Sequence, residues 1–177
     1  TRGLASDTSV YGRVNGLIVH RLSKDSPAAR AQREQLRGAL GREVGTVPEI
    51  WDLTLDDRSG YLGDAPTRGE NAVHGALTLW ALHQGSNSRP MHDSSPHPRS
   101  FASAIRVVAE GQRGERRAEE TPVYRRFAAA VQAPTFAGLL IPLRSLGSQL
   151  EAAEIPCSYA GLAADLFTWQ DPSRRAS

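Results

Sequence analysis

The stretch ENAVHGALTLWALHQ, from Glu70 to Gln84, sets Val73, Ala76, Leu77, Trp80 and Ala81 on one broad helical face, and Leu79 and Leu82 widen it. Apolar residues recurring at three- and four-residue steps mark a helix, and a face this wide marks one with little exposure to water. It is therefore expected to be the buried centre of an all-helical fold.

The segments around it follow the same period. A helix is expected from Val10 to Leu22 with Val14, Leu17 and Ile18 inward, weakened by Gly12 and Gly16 at about 1 kcal/mol each against Ala. The next, Pro27 to Leu40, has both ends written out: Ser26 to cap, Pro27 in the first turn, and Gly41 to take the left-handed position after it. Thr46 and Glu49 have capping-box spacing ahead of Ile50, Trp51 and Leu55, which predicts a short third helix. Asp56 to Gly69 and the Pro-rich Gly85 to Pro98 read as long loops. Helices follow over Ser100 to Glu110 and from Thr121-Pro122 to Val131, with the charged run Gly111 to Glu120 between them. A longer one covers Thr135 to Glu154, with Leu139, Leu143, Leu146 and Leu150 inward and a kink at Pro142. Ser158 caps a last helix in which Leu162, Leu166 and Phe167 are expected to face inward and Trp169 anchors the end. The reading is a compact all-α bundle of roughly seven to nine helices. Residues 1–177 form one domain, with packed halves near 10–110 and 121–177.

Forty per cent of the 177 residues are hydrophobic, enough for a real core. The lone Cys157 excludes an internal disulfide and reads as a small apolar residue suited to a reducing cytosol. Thr1 to Ser9 has no signal-peptide pattern, and no apolar run reaches the about 18 residues of a membrane span. The expectation is a cytoplasmic protein with no membrane contact and no cofactor. Nucleophile-elbow, phosphate-loop and HExxH patterns are all missing, so those enzyme classes have no handle in the sequence.

Charge is more informative. Of 21 basic residues 20 are arginine, Lys24 being the exception, although 19 carboxylates hold the net charge at +2. A GC-rich genome would give the same enrichment, so only position is informative. Arg30, Arg33 and Arg37 stand at i, i+3 and i+7, within about 60° of one another, and form a ridge beside the Ala29, Leu36 and Leu40 stripe. Arg125 and Arg126 lie between Tyr124 and Phe127; Arg106 comes from the helix before and Arg144 from the helix after. Guanidinium forks match phosphate oxygens in pairs, so such rows suit a nucleic-acid backbone. Ion pairing with Glu34, Glu119, Glu120, Glu151 and Glu154 is the competing explanation. His83, His92 and His97, with Asp93, flank the second long loop, where a metal hydrolase would be the alternative, but their spacing matches no standard site. A free-standing helical DNA-binding regulator is a further alternative that the long loops fit poorly.

Several pieces follow in one order: LTLWALHQ at 77–84, Met91-His92, Ser100-Phe101-Ala102, Tyr124-Arg125-Arg126-Phe127, Leu143-Arg144, and Ile155-Pro156 with Tyr159, Leu162, Asp165-Leu166 and Trp169-Gln170. From about Ala28 to Arg175 the chain resembles the CasB family, the small subunit of the type I-E CRISPR surveillance complex, Cascade. The resemblance implies a non-enzymatic, all-helical protein present in two copies against the backbone subunits and the large subunit. Its arginines would hold guide RNA and the target and displaced DNA strands, stabilising the R-loop in antiviral defence. Base pairing then reads sequence, and protein cations only tip a nearly balanced strand exchange. The family's basic positions correspond to Arg33 or Arg37, to Arg125 and Arg126, and to Arg144, with Arg106, Arg174 and Arg175 as weaker matches. Where relatives carry a basic residue in the last helix, this chain has Gly161 and Ala164. Loop arginines Arg58, Arg68, Arg113, Arg116 and Arg117 are expected to matter least.

Overall fold

The structure, a computed structural model, describes residues 3–56 and 65–175, with the side chains of Arg174 and Arg175 left aside. Arg58 and Asp57, in the first long loop, lie outside these residues. The described residues are all-helical; they form no strand, only an isolated bridge between His92 and Cys157. They cluster into two compact units. One comprises the chain up to Ala81 together with everything from Tyr159 onward, and the other is Leu82–Ser158.

In the first unit α1 spans Asp7–Leu17 and continues as a π-helical turn over Ile18–Leu22. The start expected at Val10 lies three residues too late. Ser6 and Ser9 form a reciprocal capping box, Ser9 N–H donating to Ser6 Oγ (3.1 Å) and Ser6 N–H to Ser9 Oγ (3.0 Å), and Asp7 adds a charge that favours the helix N-terminus. Val10, Val14, Ile18 and Leu22 are buried. Helix α2, Pro27–Gly38, is capped by Ser26 as expected, and Gly41 takes a positive φ of 81°. The Thr46–Glu49 capping box does not form. Thr46 Oγ1 turns back to the Glu43 carbonyl (2.7 Å), Val47 takes the cap position, and Pro48 starts a 3-10 turn, Pro48–Ile50, that leads into the short α3, Trp51–Thr54.

Helix α4, Arg68–Gln84, is the buried centre the sequence predicts: every residue from Ala72 to Ala81 is buried. Its start precedes the expected Glu70 because Thr67 is the cap. Glu70 N–H donates to Thr67 Oγ1 (3.2 Å) and Thr67 N–H to Glu70 Oε2 (2.9 Å). Glu70 Oε1 also accepts from Asp56 N–H (3.0 Å), so one buried carboxylate holds both ends of the segment between Asp56 and Thr67. A Cβ at Gly69 would run into the Leu4 carbonyl, which explains a glycine in the first turn. Helix α8, Tyr159–Trp169, packs along α1, and α9, Pro172–Arg175, follows it. Leu162 and Leu166 are buried, whereas Phe167, expected inward, is half-buried with the Arg68 guanidinium 4.8 Å over its ring. Arg68 also pairs with Asp171 (3.4 Å).

The second unit contains α5, Phe101–Gln112, α6, Pro122–Val131, and α7, Phe136–Ala153. Ser100, Thr121 and Thr135, at the expected helix starts, cap them, their hydroxyls accepting from the N–H groups of Ser103, Tyr124 and Gly138. Helix α5 runs two residues past Glu110, and a 3-10 turn, Ala118–Glu120, lies within the charged stretch. α7 continues through Pro142 with Leu139, Leu143, Leu146 and Leu150 buried. Phe101 and Phe127 meet at 6.2 Å between ring centroids and join α5 to α6.

The loop from Gly85 is held by three bonds to one side chain. Gln84 Nε2 donates to the Asn87 (2.8 Å) and Arg89 (2.9 Å) carbonyls, and its Oε1 accepts from Met91 N–H (2.9 Å). Beyond it, Cys157 N–H donates to the Met91 carbonyl and Asp93 N–H to the Cys157 carbonyl.

Candidate nucleic-acid interface

The ridge on α2 forms, but its three arginines do different things. Arg30 is exposed and lies 3.6 Å from Asp25. Arg33 is half-buried, and its Nη1 donates to the Leu22 carbonyl (2.5 Å) and the Lys24 carbonyl (3.3 Å), closing the end of the first helix. Arg37 pairs with Glu34 (3.1 Å), and its buried Nε has no partner. A cation on the last carbonyls of a helix is favourable in its own right, so Arg33 is committed to the fold.

In the second unit, Arg106 of α5 reaches Glu119 (3.5 Å). The hairpin of α6 and α7 is different. From Thr121 to Leu150 the only charged residues are Arg125, Arg126 and Arg144, with no carboxylate among them. All three are exposed. Arg126 Nη1 donates to Ser145 Oγ (3.1 Å), which brings it across to α7 at the residue that follows Arg144. The side chains of Arg125 and Arg144 have no hydrogen bond or ion pair among the described residues, so both are open to an outside anion. Ser145 was not singled out by sequence pattern, and counting carboxylates over the hairpin would have drawn attention to it. Arg174 and Arg175 end α9, but their side chains lie outside the described residues.

The histidines do not converge. Among the described residues no three metal-ligating side chains gather. His83 and His92 are buried, and burial holds the pKa of both down to about 4; a hydrogen bond with the Leu150 backbone opposes this at His83, and the Asp93 carboxylate at His92. His97 is exposed. His74 is buried in the first unit and also lowered by desolvation; the Arg42 and Ala39 backbones oppose this, though neither bonds a ring nitrogen with good geometry. Cys157 is a buried free thiol. No described helix is long and apolar enough to cross a membrane.

No curated protein matches the chain. A crystal structure of CasB from Thermobifida fusca aligns with 96% of this chain and 90% of that one, at 27% identity and a TM-score of 0.71. A Cse2-family CRISPR-associated protein from Thermus thermophilus shares the fold, with a TM-score of 0.62 at 22% identity over 96% of this chain and 92% of that one. The family model of CRISPR-associated protein Cse2 matches residues 32–177, which takes in part of α2, the central helix α4 and the arginine-bearing hairpin of α6 and α7. The chain therefore belongs to the Cse2 (CasB) family of CRISPR-associated proteins.

Proposed function

We propose that this chain is the non-catalytic small subunit of a type I-E Cascade. It works in the cytoplasm, in two copies, against the backbone and large subunits. There its arginines hold the backbones of guide RNA and of the target and displaced DNA strands, and so prolong the R-loop. Family membership supports the assembly. The observation that carries nucleic-acid binding is the α6–α7 hairpin, with three exposed arginines, two of them unpaired, and no carboxylate over residues 121–150. Such a surface attracts phosphate without reading bases, and neutralising each phosphate contributes about −0.7 to −0.9 to the log–log salt slope.

The test is co-purification with the other complex subunits and a guide RNA, followed by target binding across a salt series. Changing Arg125 and Arg126 together to Ala should leave the fold intact, weaken target engagement and flatten the slope by roughly one to two. Unchanged binding at every salt concentration would remove the pair from the interface. A sequence-specific footprint by the isolated protein would count against the whole reading.

A further inference from the structure

The arginines on the hairpin share their surface with an apolar residue that the fold does not use. Ile141 of α7 is 74% exposed, far beyond the other large exposed hydrophobics, Val131 and Val107 at 43% among them. At 100° per residue, Ile141 lies within about 60° of Arg144, 40° of Ser145 and 20° of Ser148. All four are exposed, and Arg126 is tied to Ser145. The strip is therefore a ridge of cation, hydroxyl and isoleucine with no negative charge. Isoleucine is a poorer helix former than alanine, and at 74% exposure its side chain gains little from burial inside the chain.

We infer that Ile141 packs against the sugar or base of an unpaired nucleic-acid strand whose phosphates are held by Arg126 and Arg144, and that it makes this face prefer unpaired over duplex nucleic acid. The inference rests on the nucleic-acid reading above. Its reason is geometric. The outside of a duplex offers phosphates and sugar edges while the base faces stay stacked, so an isoleucine between two arginines gains little there. In an unpaired strand, bases can turn outward and lay apolar surface on it. Charge complementarity selects the occupant: with three cations and no anion over 121–150, the strip fits a continuous polyanion.

The experiment measures anisotropy of a labelled unpaired strand, and of the same strand in duplex, with the full chain and with Ile141→Ser, Ile141→Leu, Arg126→Ala and Arg144→Ala, each across a salt series. Ile141→Ser should bind the unpaired strand about five-fold more weakly, with the duplex affinity and the salt slope unchanged, and Ile141→Leu should restore it. The site is so exposed that folding is not at stake. If Ile141→Ser binds the unpaired strand like the parent while the arginine variants lose affinity and slope, the inference is overturned and the nucleic-acid reading stands. If the arginine variants also bind like the parent, both fall. If Ile141→Ser leaves strand binding alone but weakens capture by the other complex subunits, the residue is a protein contact and the inference is equally overturned.

Discussion

Replacing Arg33 by Ala tests whether this arginine holds the protein together or is free to hold a ligand. Family correspondence offers Arg33 or Arg37 as a nucleic-acid contact, yet the Arg33 guanidinium is spent on the carbonyls of Leu22 and Lys24, at 2.5 and 3.3 Å. A charge-assisted hydrogen bond contributes about 1.5–3 kcal/mol, and half-exposure together with the length of the second bond puts this pair at about 1.5–2 kcal/mol. For a chain of this size each kcal/mol moves Tm by about 2–4 °C, so Arg33→Ala should melt about 3–8 °C lower by circular dichroism. Arg33→Lys should recover roughly half, because an ammonium is a single compact donor where the fork meets two carbonyls. Arg125→Ala, made in parallel, should stay within about 0.5 kcal/mol of the parent, since its side chain is exposed and makes no hydrogen bond or ion pair among the described residues. An unchanged Tm for Arg33→Ala, together with loss of target binding in the assembled complex, would refute this division.

Acid should destabilise the protein in a window set by its histidines. His83 and His92, at about 4 in the folded chain, stay neutral where an unfolded chain, near 6.5, takes up protons. Their stabilisation is complete above about pH 6.5 and is lost as pH falls toward 4, by about 2 kcal/mol per histidine at pH 5. His74, shifted in the same direction, adds to the loss. Urea unfolding at about pH 7.5 and about pH 5 measures it, and equal stability at both would show that these rings are not neutral in the fold. Glu154→Gly should have the opposite sign. Glu154 ends α7 in the left-handed region, at a φ of 51°, where its Cβ is penalised, and its carbonyl, which accepts from Arg89, is untouched by the change. A gain of about 0.5–1 kcal/mol in unfolding free energy is expected, and a loss would mean the exposed side chain contributes more than its backbone strain costs.

The helix ends were legible wherever the chemistry of the cap is local. Ser26 caps its helix as read, and Ser100, Thr121-Pro122 and Thr135, which stand at expected helix starts, turn out to be the caps, because a hydroxyl and an N–H three residues on need no other part of the chain. The misreadings follow from competing partners. Thr46 had a nearer acceptor in the Glu43 carbonyl, and Pro48 fits the first helical position only if Val47 is the cap. Ser9 stood in for the Glu or Gln expected of a capping box, which hid the start of α1. What no window could reveal is long-range: Glu70 accepting from Asp56, and the bridge between His92 and Cys157. The resemblance of LTLWALHQ and Met91-His92 to the family gains a physical basis here. Gln84 bonds Met91, and Met91 bonds Cys157, so these residues build the turn after the central helix and have no need of a catalytic role.

The arginines show how far charge spacing alone can be read. An i, i+3, i+7 row gave α2 the more regular pattern, yet there a helix end and two carboxylates lie within reach, and they engage every member of the row. The α6–α7 hairpin has no such regularity. What distinguishes it is the lack of anything to neutralise its cations, and an arginine is available to an external phosphate only to the extent that the fold leaves it unpaired. A ridge with internal partners must break those bonds before it binds, whereas Arg125 and Arg144 break none. For the same number of cations the hairpin should therefore bind phosphate more strongly than the ridge, and the local excess of arginine over acid should guide the search for an interface better than the spacing of arginines along a helix.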